Sequence, residues 1–226
     1  MNPYEINNEL EKQLCEYTGA KYCVAVNSGT SAITLSCVIH NVDEVEVPKD
    51  TYISVPFAII HAGGKPKFVD LEWEGMYQFK PYPIWDSALR LKRGMYIPKT
   101  HMILSFSTRK HLPIGSGGAI LLDNEEEYIR LKRLRYNGRP ETAYHDTDDI
   151  TEIGFNMTLH PILASIGVEM MKTFPDNPPD KPTSMNGLDL TKFSYNVIIE
   201  NSIFDINDLG LIESNGKYDG KLLNVD

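Results

Sequence analysis

The stretch that most constrains this chain is residues 105–118, Ser-Phe-Ser-Thr-Arg-Lys-His-Leu-Pro-Ile-Gly-Ser-Gly-Gly. It lies between two apolar runs, Met102-Ile103-Leu104 before it and Ala119-Ile120-Leu121-Leu122 after it. Short apolar runs that flank a glycine-rich segment predict two buried strands with a loop at their ends, which is where a site would sit. One lysine, Lys110, stands in the middle of the loop. Gly115, Gly117 and Gly118 follow it, permitting positive φ and close backbone approach beside a bulky group. A glycine-rich hairpin with an incidental surface lysine accounts for the same stretch equally well, so the rest of the chain must decide.

Before that loop, strand and helix signals alternate. Ile6, Leu10, Leu14 and Tyr17 recur at helical spacing and predict an amphipathic helix over residues 4–17 that ends at Gly19. Residues 22–26 predict a strand, and Asn27-Ser28-Gly29-Thr30-Ser31-Ala32 turns the chain into an apolar helix over 31–40. Strands over 45–48 and 67–70 enclose a helix over 55–62. Such alternation is the pattern of βαβ units, and it predicts an α/β fold with a mostly parallel sheet and sites beyond the carboxyl ends of the strands. Further strands are expected at 82–85, 102–106 and 119–122, and helices at 125–136 and 161–171.

Only a short segment separates Asp70 from Asp86, and it is dense in Trp73, Tyr77, Phe79, Tyr82 and Trp85. It is too short for a complete crossover and strand, and its aromatics read either as core or as a surface that meets a partner. Pro175, Pro178, Pro179 and Pro182 break regular structure. They predict a large domain over 1–174 and, over 175–226, a Pro-rich linker and short tail with one or two short strands at most.

Composition excludes several classes. The 226 residues carry 22 Lys and Arg against 31 Asp and Glu, a net charge of −9, which argues against a nucleic-acid surface. No apolar run approaches the roughly 20 residues of a membrane helix. The segment Met1-Asn2-Pro3-Tyr4-Glu5 lacks the regions of a secretory signal, so a cytoplasmic protein is expected. Cys15, Cys23 and Cys37 have no disulfide or zinc spacing, and the six histidines are scattered, so no metal site is expected.

Two more stretches carry chemistry. The Ser28, Gly29 and Thr30 turn offers backbone amides, hydroxyls and a helix N-terminus, which together can cradle a phosphate, although a plain N-cap explains the same residues. Asp86 follows a β-like run and precedes Ser87-Ala88; an acid there can face a protonated pyridine nitrogen or simply cap a helix. Phosphate cradle, strand-end acid and loop lysine, in that order, are the three polar anchors that pyridoxal 5'-phosphate needs.

The runs at 20–32, 44–48 with Thr51-Tyr52, 66–70, 105–118 and Gly154-Phe155-Asn156 resemble the DegT/DnrJ/EryC1/StrS sugar aminotransferases over roughly residues 5–170. The resemblance implies the large domain of a fold type I pyridoxal phosphate enzyme, with helices on both faces of its sheet. It implies that Lys110 holds the cofactor covalently and moves the substrate proton, and that Asp86 holds the ring nitrogen protonated. Ser28, Gly29, Thr30 and Ser105 would bind the phosphate, Tyr52 would lie against the pyridine face, and Ala88 would complete the contacts next to Asp86. Asn156 would reach the phosphate of a neighbouring subunit, making the site that of a homodimer. Its substrates would be an amino donor, glutamate by the family's habit, and a keto sugar carried on a nucleotide.

The chain departs from the family in four places. It lacks room for the strand and helix that usually precede the Asp86 position, and it has a short tail where the family has a carboxy-terminal domain. Leu89 and Thr158 stand where polar and arginine side chains are common in the family. Cofactor anchors are kept while substrate walls are cut back. Two other readings therefore remain: a pyridoxal phosphate reaction on another small amino compound, and a scaffold that keeps the fold but not the turnover.

Overall fold

The computed structural model describes residues 4–141, 150–183 and 189–192. Its elements are α1 (Glu5–Thr18), β1 (Tyr22–Val26), α2 (Gly29–Ile39), β2 (Glu44–Pro48), α3 (Ser54–His61), β3 (Lys65–Val69), β4 (Tyr77–Gln78), β5 (Ile84–Asp86), β6 (His101–Ser105), β7 (Gly118–Leu122), α4 (Glu125–Arg135) and α5 (Pro161–Met171), with a single 3-10 turn at Leu190–Lys192. Local chemistry sets the helix ends. Gly19, at φ 82°, closes α1 in the left-handed region, and its N–H donates to the Cys15 carbonyl. Asn124 Oδ1 caps α4 by accepting from Glu126 N and Glu127 N, and three acidic residues in the first turn and three basic ones in the last suit the helix dipole.

The main sheet has the order β1-β7-β6-β5-β4, and β2 pairs separately with β3. Pairing is parallel for β2–β3 and β5–β6, and antiparallel for β1–β7, β6–β7 and β4–β5. The α/β class holds, but the sheet is mixed where a mostly parallel one was expected. The reason lies in the connections. A parallel neighbour needs a crossover of about a dozen residues or more, which α3 supplies between β2 and β3. By contrast, β6 returns to β7 through residues 106–117 without a helix, and β4 returns to β5 through 79–83. The two sheets are joined at one bridge, where Glu46 N donates to Lys80 O at 2.9 Å.

Helices cover both faces. Val24, Val26, Ile103, Ile120 and Leu122 point to one side and pack with Ala32, Leu35, Ile59, Leu131 and Leu134 of α2, α3 and α4. The alternate residues Cys23, Ala25, Met102, Leu104, Ala119 and Leu121 point to the other and pack with Leu10, Leu14, Ala164 and Val168 of α1 and α5. This period of two, with helices on both faces, is why β1, β6 and β7 are buried almost throughout. Within the polar part of the core, Arg135 is fully buried, ion-paired with Glu11 and Glu141 and donating to the Ala25 carbonyl.

The aromatic segment folds back as core. Tyr77 and Phe79 are buried, Trp73 and Tyr82 pack beside them, and Trp85 packs on the opposite face. A partner-facing surface made of these residues is therefore set aside. The segment contains β4, which has two residues and no periodicity by which to recognise it. Most of the expected tail, including any short strands, lies outside the described residues. Its beginning, 175–183, packs against the loop that follows Asp86.

Candidate active site

Strand directions gather the sequence-marked residues. β7 runs antiparallel to both β1 and β6, and β6 runs parallel to β5, so β1, β5 and β6 all end on the same edge. That edge carries the turn into α2, Asp86 and the 105–118 loop. They surround a cavity of about 570 Å³, lined by Ser28, Gly29, Thr30, Tyr52, Asp86, Ala88, Ser105 and Lys110 among others. Asn156 is the exception. It is exposed and outside the cavity, and its backbone carbonyl accepts from Asn27 Nδ2 at 3.4 Å.

At the start of α2, Ser28 is the N-cap, its Oγ accepting from Ser31 N at 3.0 Å. The Ser28 hydroxyl is thus engaged, and the remaining amides of the first turn, at Gly29 and Thr30, are left for another acceptor. Thr30 Oγ1 meets Ser54 Oγ of α3 at 2.8 Å. This turn can rest on the sheet because two glycines allow it. A Cβ on Gly29 would lie 3.0 Å from Ser105 Cβ, and one on Gly118 would lie 2.6 Å from Gly29 N and 2.7 Å from Leu104 O. Close approach at Gly118 thus serves the cradle's own backbone rather than a bound group. Gly115 and Gly117, at φ 102° and 137°, supply the left-handed turns of the loop.

Asp86 is 8% exposed, and each of its oxygens has one fixed donor. Its Oδ1 accepts from Ala88 N at 2.9 Å and its Oδ2 from the Tyr77 hydroxyl at 2.9 Å, while the Thr51 hydroxyl bonds the same phenol oxygen. Burial raises the Asp86 pKa, opposed by the Ala88 N–H, the Tyr77 hydroxyl and the positive charge of Lys110. For Lys110, desolvation dominates and lowers the pKa, Asp86 pulls it back, and neighbouring Arg109 lowers it further. A lysine amine so depressed is more readily the free base, the form that attacks carbonyls.

Sequence reading passed over Tyr77 and Thr51 as supports of Asp86, because the contact between β4 and the end of β5 is nonlocal. It also passed over Arg109, Lys181 and Thr183, which line the same cavity. An unbroken run of charge beside Lys110 was the available signal for Arg109; nothing local points to Lys181.

The sequence model of the DegT/DnrJ/EryC1/StrS aminotransferase family matches residues 1–82 and 98–184. The chain belongs to that family. As an aminotransferase-family chain it is 26% identical over 216 aligned positions to UDP-4-amino-4,6-dideoxy-N-acetyl-beta-L-altrosamine transaminase of Campylobacter jejuni, covering 75% of this chain and 57% of the relative. It is 24% identical to the spore coat polysaccharide biosynthesis protein SpsC of Bacillus subtilis, covering 74% and 57%. Among solved structures, AtS13 from Actinomadura melliaura superposes with a TM-score of 0.66 at 23% identity, covering 75% of this chain and 60% of that one. The PLP form of the putative sugar aminotransferase Spr1654 from Streptococcus pneumoniae gives 0.64 at 20%, covering 75% and 59%. The fold is therefore that of these aminotransferases, and the chain spans less than two thirds of the length of the curated relatives it matches. The family match is interrupted at 83–97, the segment that holds Asp86 and the loop after it.

Proposed function

We propose that the chain is a pyridoxal 5'-phosphate-dependent aminotransferase that passes an amino group from an amino acid, glutamate by the family's habit, to a keto sugar carried on a nucleotide. One observation carries this reading: a desolvated lysine amine, a buried carboxylate and the first turn of α2, whose Gly29 and Thr30 amides the Ser28 cap leaves over, face one cavity of about 570 Å³. The donor set fits the cofactor chemically, with amides and hydroxyls for a phosphate, a carboxylate for a protonated ring nitrogen and an amine for an aldehyde. The Gly29 position also leaves the cradle free of a Cβ that would crowd Ser105.

In this reading the first-turn amides of Gly29 and Thr30, with Ser28 and Ser105, bind the phosphate through charge-assisted hydrogen bonds. Tyr52, 53% exposed at the cavity wall, offers an aromatic face. Asp86, fixed by Tyr77 and the Ala88 N–H, would keep the ring nitrogen protonated. Lys110 takes and returns a proton at Nζ, which its lowered pKa favours. Bound pyridoxal phosphate would supply the electron sink for the transferred group. We assign residues 1–174 to the cofactor-binding domain and 175–226 to a Pro-rich linker and tail.

The site is shared in a homodimer, with Asn156 reaching the partner's cavity; its exposure outside its own cavity supports this. No helix of the described residues is long and apolar enough to cross a membrane, and we place the protein in the cytoplasm. An absorbance spectrum with added pyridoxal phosphate tests the function. A visible band that converts to the pyridoxamine form on adding glutamate is expected, and the absence of any cofactor band would end the reading.

A further inference from the structure

Residues 175–183 form a strap rather than a free linker. Tyr17 OH donates to the carbonyl of Pro175 at 2.7 Å, and the Arg93 N–H and guanidinium donate to the Asp176 carbonyl and carboxylate at 2.9 and 2.7 Å. His111 Nε2, next to Lys110 in sequence, donates to Pro179 O at 2.9 Å, and Lys181 N donates to Leu89 O at 2.9 Å. The strongest hold is Asp180. Its carboxylate, 5% exposed, accepts from Arg90 Nε at 3.0 Å, pairs with Arg90 Nη2, and lies 3.1 Å from Lys92 Nζ. Gly75, at φ 71°, makes room for it, since a Cβ there would collide with the carboxylate.

This clamp has an electrostatic consequence. Asp180 is satisfied by Arg90 and Lys92, so it does not neutralise Lys181 beside it. Lys181 and Thr183 of the strap line the cavity together with Arg109 of the Lys110 loop. Among the described residues neither Arg109 nor Lys181 has an acidic partner within 4.0 Å. The cavity therefore holds Lys110, Arg109 and Lys181 against one carboxylate, Asp86, in a chain whose net charge is −9. Local positive charge within an acidic protein selects anions by field.

We propose that the strap is a wall of the substrate site and that Lys181, held in place by the Asp180 clamp, forms with Arg109 a subsite for an oxyanion of the substrate. That anion is either the carboxylate of the amino donor or the diphosphate of a nucleotide sugar. The proposal rests on reading the cavity as an aminotransferase site, and it assigns the work of a substrate wall to a segment clamped onto residues 90–92, where the family match is interrupted. Asp180 and Arg90 act as positioning residues, through Lys181.

The test is calorimetric titration of the 226-residue chain, with and without pyridoxal phosphate, using two unreactive probes, glutarate and UDP. At least one should bind. Lys181→Gln and Arg109→Gln should each weaken that probe about tenfold, the loss expected for one charge-assisted hydrogen bond. Asp180→Asn should weaken it too and speed hydrogen exchange at the Lys181 amide, whereas Lys172→Gln at the exposed C-cap of α5 should change nothing. A response of glutarate alone identifies the carboxylate, of UDP alone the diphosphate, and of both a shared anion subsite. If neither probe binds, or if binding is the same in Lys181→Gln as in the unaltered chain, the proposal is overturned. Cofactor binding with no Lys181 dependence would leave the functional reading intact; Lys181-dependent binding without any cofactor uptake would do the opposite.

Discussion

The hydroxyl of Tyr77 donates to Oδ2 of Asp86 at 2.9 Å, and so a two-residue strand orients the buried acid at the end of β5. The Thr51 hydroxyl completes the chain from the segment before α3. A buried carboxylate with two fixed donors keeps one orientation.

Tyr77→Phe should keep the ring packing against Trp73 and Phe79 while leaving Asp86 Oδ2 without its donor. A hydrogen bond to a charged group contributes about 2 kcal/mol, so urea unfolding should show a loss of that order. The Asp86 pKa should rise further, since the phenol opposes the effect of burial. Unchanged stability would show that the contact contributes nothing.

Lys110→Ala should abolish the borohydride-reducible pyridoxyl label. Peptide mapping of the reduced, unaltered protein should place the label on Lys110. Label on any other lysine would remove Lys110 from the role proposed for it.

Gly118→Ala puts a Cβ 2.6 to 2.7 Å from three backbone atoms, Gly29 N, Leu104 O and Ser28 C. Backbone cannot rotate away as a side chain can, so β7 or the first turn of α2 has to shift. A cost of about 3 kcal/mol is expected from overpacking of this kind, together with weaker phosphate binding. Thermal denaturation and titration with inorganic phosphate measure the two effects.

Acid stability should depend on His40. Burial, and then the charge of His101, lower its pKa from 6.5 to about 4, against a smaller opposing pull from Glu127. A group depressed in the folded state binds its proton more readily when unfolded. The stability it contributes is therefore complete above about pH 6.5 and is lost as pH falls towards 4, by at most about 1.4 kcal/mol per pH unit. His40→Leu should flatten the melting temperature across that window; an unaltered slope would rule His40 out.

Arg135→Met should cost about 3–5 kcal/mol, because among the described residues it leaves Glu11 and Glu141 with Lys132 as their one cationic partner. Replacing Arg135 alone should therefore be worse than replacing it together with Glu11→Leu, which a double-mutant cycle in urea would show.

Much of the layout was legible because it is locally encoded. The apolar runs at 22–26, 102–105 and 118–122, and the capped helices α1, α4 and α5, declare themselves by period and end residues. Lys110, Asp86 and Ser28 to Thr30 were found by residue type next to predicted strand ends, and the fold places them around one cavity. What escaped was pairing. The mixed sheet follows from connections that lack a helix, and the burial of Tyr77 and Phe79 from contacts across the sheet, neither of which leaves a periodic trace in a short aromatic segment.

By itself, then, the amino-acid sequence determined the α/β class, the order of most elements and the polar residues Ser28 to Thr30, Asp86 and Lys110 that meet at one cavity, because periodicity, capping and residue chemistry act over a few neighbours. Only the tertiary structure decided that Tyr77 supports Asp86, that Gly118 makes room for the turn at Gly29, and that Asp180 is clamped by Arg90 and Lys92 so that Lys181 reaches the cavity wall. Each of these is a contact between residues far apart in the chain, except Tyr77 with Asp86, which are near in sequence but meet only when β4 turns back on β5. Such contacts are fixed by how the sheet and the strap pack, and packing is a property of the whole folded chain.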